Sequence, residues 1–174
     1  MILYHVSEEP NITKFVPRIP DREDLDKSKR LVWALDEKCL PSFLTPRDCP
    51  HVAYYATEKS SEEDIAKFYS SSQRYCVAIE SDWYKRMTQT SLYVYQFDSS
   101  NFKLQDEVAG YYVSEEIEVP IAVARFDDLF SELFKRNVEV RILDDLWQLG
   151  RAVQKSTLAW GLYRMRNARL EIER

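Results

Sequence analysis

Residues His51–Tyr69 read HVAYYATEKSSEEDIAKFY. HVAYYAT (His51–Thr57), rich in aromatic and β-forming side chains, reads as a strand. Ser61-Glu62-Glu63-Asp64 reads as a capping box, with Ser61 capping a helix and Asp64 reaching back to its start. Ile65, Phe68 and Tyr69 follow at helical spacing and would face the core. A strand therefore hands over to a helix within a few residues, and the flanking elements decide the class.

Downstream, RYCVAIE (74–80) and LYVYQF (92–97) are strands, joined by a segment containing Trp83 and Tyr84. The β-rich pattern continues through GYYVSEEIEVPIAVARF (110–126). Asp127-Asp128 then opens a helix with acids at its positive end, and Lys135-Arg136 closes it with bases at its negative end. Leu129, Phe130, Leu133 and Phe134 form its apolar stripe, and Asn137 suits a left-handed cap. VEVRIL (138–143) is a further strand, and helices are expected over about 144–154 and 157–172.

Upstream, Ile2–Val6 is a strand with Ile2, Tyr4 and Val6 on one face and Leu3 and His5 on the other. Pro17–Arg30 is a charged, proline-containing loop and the segment expected to move most. LVWAL (31–35) reads as a short strand, and the three prolines of PSFLTPRDCP (41–50) forbid a long regular element. Strands dominate with single helices inserted, which is α+β with mostly antiparallel, twisted sheets. One domain over 1–174 is expected, with the basic helix 157–172 packed on it.

Composition excludes several functions. The apolar share is 45% and the aromatic share 13%, enough for a packed core. With only Gly110, Gly150 and Gly161, no glycine-rich phosphate loop can be written. A net charge of −5 argues against general nucleic-acid binding. Residues 151–174 carry six Arg/Lys against two Glu, so this tail could pair with the acidic body or meet an anionic partner. Cys39, Cys49 and Cys76 are odd in number and lack a CxxC pair, which fits a reducing cytosol without a disulfide framework. With two histidines no metal-ligand spacing arises, and MILYHVSEE lacks the form of a signal peptide. No apolar run approaches the ~20 residues of a membrane span, so a cytoplasmic protein is expected. The oligomeric state is not encoded in any pattern found.

Hydrolase chemistry finds little footing. There is no GxSxG elbow, and a Cys49–His51 pair would join near neighbours in an extended segment. A different set adds up: His5 on the first strand, the paired tyrosines of HVAYYAT, Ser60-Ser61 and a helix with Phe68-Tyr69, then YYVSEEIEVP. In LYHVS, YYATEKSSEEDIAKFY and YVSEEIEVP, over residues 3–142, the chain resembles the ADP-ribosyltransferase superfamily. VWALDE and FLTPRDCPHV also look like an uncharacterised bacterial family.

The resemblance implies two packed sheets and an NAD site with a His, a Tyr and an acid on three strands. On it, His5, Tyr54 and Glu116 are the catalytic set, and His5, Val6, Ser7, Arg47, Tyr54, Tyr55, Ser61 and Tyr69 contact the nucleotide. The chemistry is coherent. Breaking the nicotinamide bond builds positive charge on the ribose, which a carboxylate stabilises. An imidazole can hold a ribose hydroxyl, and an aromatic face can stack on nicotinamide.

Each residue also has a plain reading: His5 as a packed strand histidine, Tyr54 and Tyr55 as core, Phe68 and Tyr69 as an amphipathic helix face. Arg47 reads equally as a loop brace. Glu115, Glu116, Asp106 and Glu107 compete for the acid, and Glu116 and Glu118 share a face if the strand runs on. The superfamily's glycine after the histidine is Val6 here. Two functions follow: an NAD-using ADP-ribosyl transferase or NAD hydrolase, and a non-catalytic nucleotide- or protein-binding domain on the same scaffold.

Overall fold

The computed structural model describes residues 1–20 and 26–171. Along the chain run β1 (Ile2–Ser7), β2 (Val32–Leu35), β3 (His51–Tyr55), α1 (Glu62–Phe68), β4 (Tyr75–Glu80), α2 (Tyr84–Gln89) and β5 (Leu92–Asp98). Then come β6 (Lys103–Asp106), β7 (Tyr111–Ser114), β8 (Ala122–Phe126), α3 (Leu129–Lys135), β9 (Val138–Leu143), α4 (Trp147–Gln154) and β10 (Ala159–Tyr163). Among the described residues this is an α+β fold of two mostly antiparallel sheets. No helix among them is long and apolar enough to cross a membrane.

The chain divides into two compact units. Unit 1 comprises Met1–Leu40 and Leu92–Phe126 and holds a six-stranded sheet ordered β6-β7-β2-β1-β5-β8. β1 lies inside the sheet and runs opposite β5 over all six residues, from Ile2 against Asp98 to Ser7 against Tyr93. One face buries Leu3, Val32, Ala34, Tyr95, Phe97 and Phe102, and Ile12 and Phe15 pack onto it from the segment after β1. The Tyr95 hydroxyl fastens that segment: it donates to the Glu9 carbonyl (2.7 Å) and accepts from the Ile12 N–H (3.0 Å).

Unit 2 comprises Pro41–Ser91 and Asp127–Arg174, with a sheet ordered β10-β3-β4-β9 in which only the β4–β9 pair is parallel. Its core gathers Val52, Tyr54, Phe68, Tyr69, Cys76, Ala78, Leu146, Val153 and Leu158. α1 starts where the capping pattern places it, with Ser61 Oγ accepting the Asp64 N–H. α3 is capped by Asp128 and ends before Asn137, which takes the left-handed backbone at φ 57°.

The expected helix over 157–172 is not formed in the described part of that stretch. Ala159–Tyr163 pairs with Tyr55–His51 as β10, and Met165–Asn167 is a single 3₁₀ turn. Trp160, Gly161 and Tyr163 are poor helix formers, and five ladder pairs with β3 outweigh a short solvated helix. The basic side chains there meet acids: Arg169 pairs with Asp82, and Arg151 with Glu171. The expected movement of Pro17–Arg30 falls in part on residues 21–25, outside the described residues.

Candidate functional site

The site is built in unit 1 from β1, the segment that follows it, and the end of β7. On β1, Leu3, His5 and Ser7 share the face of Tyr93, Tyr95 and Phe97 on β5. Towards β2 the ladder is brief: Tyr4 stands opposite Leu35. Close by, the His5 ring reaches the Trp33 carbonyl, with Nδ1 at 2.8 Å. A carbonyl only accepts, so Nδ1 carries the proton and Nε2 presents its lone pair. Burial lowers the His5 pKa, against the raising effect of the Trp33 carbonyl and together with the nearby Arg18 charge, so the ring is neutral at pH 7.

Phe15 lies against this imidazole, ring centroids 4.7 Å apart, and meets Tyr95 and Phe97 edge-on. Its backbone pairs with Glu118 in both directions: Phe15 N–H donates to the Glu118 carbonyl (2.8 Å), and Glu118 N–H to the Phe15 carbonyl (3.0 Å). Phe15 thus ties the His5 strand to the chain beyond β7.

That chain inverts the usual burial. Glu118 is 6% exposed, while its neighbours Ile117 and Val119 are 56% and 64% exposed. Ser114, at the end of β7 and itself buried, explains the arrangement. Its hydroxyl donates to Glu118 Oε1 at 2.5 Å and accepts the Glu116 N–H at 3.1 Å. The chain therefore turns after Ser114, and strand alternation no longer applies. Among the described residues no cation pairs with the Glu118 carboxylate, and the Ser114 hydroxyl is its hydrogen-bond donor. Such a group attracts a cation or a developing positive charge more strongly than it would in water.

A family model matches residues 4–168, from β1 to just beyond the final 3₁₀ turn. The chain belongs to DUF6886, a family of unknown function. No curated protein and no solved structure matches it. The match includes every residue of the His5–Phe15–Ser114–Glu118 cluster in this DUF6886 chain.

The other residues singled out in the sequence are distributed as follows. Within unit 1, Val6 stands opposite Val94 on β5, and Ser7 Oγ accepts the Glu9 N–H as β1 ends. The Glu116 side chain is exposed, and Glu115 is exposed beside Lys29 at 3.6 Å. Asp106 Oδ1 accepts the N–H groups of Val108 and Ala109, which makes it a turn residue, with Glu107 exposed inside that turn.

Arg47, Tyr54, Tyr55, Ser61 and Tyr69 belong to unit 2. Arg47 is exposed on its loop. Tyr54 is fully buried, donates to the Phe68 carbonyl, and packs against Tyr69 with centroids 5.5 Å apart. Tyr69 donates to the Arg74 carbonyl and is 7% exposed. Burial pushes both phenols up. Tyr55 stacks on Tyr75 at 5.0 Å. A stacking wall needs an open face, and these rings are closed in side-chain contacts. Ser61 serves the α1 cap, while the Asp64 carboxylate turns to Thr157 as well as to Ser61.

The Cys49–His51 pair is not a nucleophile and its base. His51 directs Nδ1 to the Cys49 carbonyl (2.8 Å) and Nε2 to the Ser42 carbonyl (2.7 Å). Burial pushes the Cys49 thiol up to about 12, away from the reactive thiolate. Sequence reasoning did not find Phe15 or Ser114. Their signal is tertiary: one is an apolar residue in a loop, the other the last residue of a strand.

Proposed function

We propose that this DUF6886 chain binds a nicotinamide dinucleotide at the unit 1 cluster and acts on its nicotinamide–ribose bond, as its resemblance to the ADP-ribosyltransferase superfamily implies. One observation carries the reading: buried Glu118 is joined by two backbone hydrogen bonds to Phe15, whose ring packs on the anchored imidazole of His5. The bound dinucleotide supplies a bond whose cleavage builds positive charge on the ribose. Glu118 offers its carboxylate to that centre, and takes the role that the resemblance gives to Glu116. His5 offers Nε2 to a sugar hydroxyl, its ring held in one tautomer by Trp33. Phe15, partly exposed, is the aromatic ring beside them. Tyr54 and Tyr69 are enclosed and do not offer an open wall for nicotinamide.

The test is release of nicotinamide from NAD, followed by chromatography. The wild-type protein releases it, Glu118→Gln lowers the rate by about 100-fold or more, and Glu116→Gln stays within about twofold. Full activity in Glu118→Gln contradicts the assignment. A second reading, binding without turnover, is favoured by Val6 in place of glycine and by the enclosed tyrosines. Saturable NAD binding with no nicotinamide released selects it.

A further inference from the structure

The parallel pair in the unit 2 sheet brings the carboxyl ends of β4 and β9 side by side, with Glu80 opposite Leu143. Residues at and just beyond those ends, Glu80 and Asp82 on one side and Asp144 and Trp147 on the other, converge on Arg169. Every polar group of Arg169 is taken. Its N–H donates to both Glu80 carboxylate oxygens, at 3.0 and 3.2 Å, and its carbonyl accepts the Trp147 indole N–H at 2.7 Å. The guanidinium lays two nitrogens against the two Asp82 oxygens, Nε at 2.5 Å, and a third against the Asp144 carbonyl at 3.1 Å. Two parallel contacts on one carboxylate are the fork geometry of an arginine, which a lysine does not reproduce.

Glu80 distinguishes this cleft from a surface ion pair. It is 1% exposed, and the Arg169 N–H is the donor to both of its oxygens. A buried carboxylate requires such a donor, so the cleft calls for a main-chain N–H as well as a guanidinium. The segment that supplies them is lightly held. It leaves β10 through Arg164, in the left-handed conformation at φ 52°, and makes the 3₁₀ turn Met165–Asn167. Met165 packs on the core, but beyond the turn Leu170 is 91% exposed. The further anchors are polar: Asn167 Nδ2 on the Asp48 carbonyl at 2.7 Å, and the Arg151–Glu171 pair. A segment held by polar contacts, with its large apolar side chain in water, opens at low cost.

We infer that Glu80, Asp82, Asp144 and Trp147 form a peptide site that reads one arginine in an extended chain, and that Arg169 fills it in cis as a pseudo-ligand. The partner is a segment of another protein that presents an arginine together with that residue's own N–H and carbonyl. The tethered segment competes at an effective concentration in the roughly millimolar range, so the partner binds weakly until the segment is withdrawn.

Fluorescence anisotropy with a labelled, end-capped MRNARLE peptide (Met165–Glu171) tests the inference on the full chain. Arg169→Pro removes both the N–H and the guanidinium of the internal occupant, and binds the peptide at least about tenfold more tightly than the wild type, with an unchanged circular dichroism spectrum. Arg169→Ala removes the guanidinium alone and gives a smaller gain. Adding Asp82→Asn to either variant cancels the gain, and a peptide with lysine in place of its second arginine loses it as well. No peptide binding by either variant at about 1 mM overturns the inference. So does equal binding by the wild type, by the variants that also carry Asp82→Asn, or of the lysine peptide.

Discussion

Ser114 donates its hydroxyl proton to the Glu118 carboxylate at 2.5 Å, and both side chains are buried. The same hydroxyl accepts the Glu116 N–H, so one side chain sets both the turn after β7 and the direction of the acid. Removing it strands a buried carboxylate oxygen and a backbone donor. Ser114→Ala should therefore cost about 2–3 kcal/mol in urea denaturation, more than the ~1 kcal/mol of an ordinary hydrogen bond. In a double-mutant cycle with Glu118→Gln, the two losses should fall short of additivity by more than about 0.5 kcal/mol, because they share one contact.

Gly110 is required by two separate restrictions. Its φ is +64°, and an added Cβ would lie 2.6 Å from Asp36 Oδ1 and 2.7 Å from both Cβ and Sγ of Cys39. Asp36 cannot swing away freely, because its Oδ1 accepts the Cys39 N–H and its own N–H donates to the Gly110 carbonyl. Gly110→Ala should lower stability by about 3 kcal/mol or more, seen as a shifted urea midpoint with little change in slope.

His51 gives unit 2 an acid-sensitive limb. Burial lowers its pKa to about 4 from the ordinary imidazole value near 6.5, despite two carbonyl partners. The unfolded chain therefore binds more protons than the folded one between these two values. Stability should be at its plateau above pH 6.5 and fall as pH drops towards 4, by about 3 kcal/mol in all from this group. Urea midpoints measured from pH 8 to pH 4 should show that fall, and His51→Gln should flatten it.

Much of the scaffold is legible in the residues. His51–Tyr55, Tyr75–Glu80 and Leu92–Asp98 are strands because β-forming side chains cluster there, and the ends of α3 follow from the Asp128 cap at its start and the left-handed Asn137 beyond its end. The end of the chain is not legible for a physical reason. Leu158, Leu162 and Met165 sit at spacings of four and three, which suits a helix, yet a strand followed by a 3₁₀ turn carries all three to the same core. The acid fails in the same way. Alternation puts Glu116 and Glu118 on one face, but the Ser114 turn exposes the first and buries the second. His5 is legible as an unusual strand residue. Its bond to Trp33 and its contact with Phe15 are products of the fold.

The most direct test of the unit 1 site is isothermal titration of the full chain with NAD, for the wild type, His5→Ala and Ser61→Ala. Wild-type binding should be saturable, His5→Ala should weaken it by at least tenfold, and Ser61→Ala should leave it unchanged while costing about 1 kcal/mol of stability through the lost α1 cap. No binding by the wild type at millimolar NAD, or equal binding by His5→Ala and the wild type, would contradict the account.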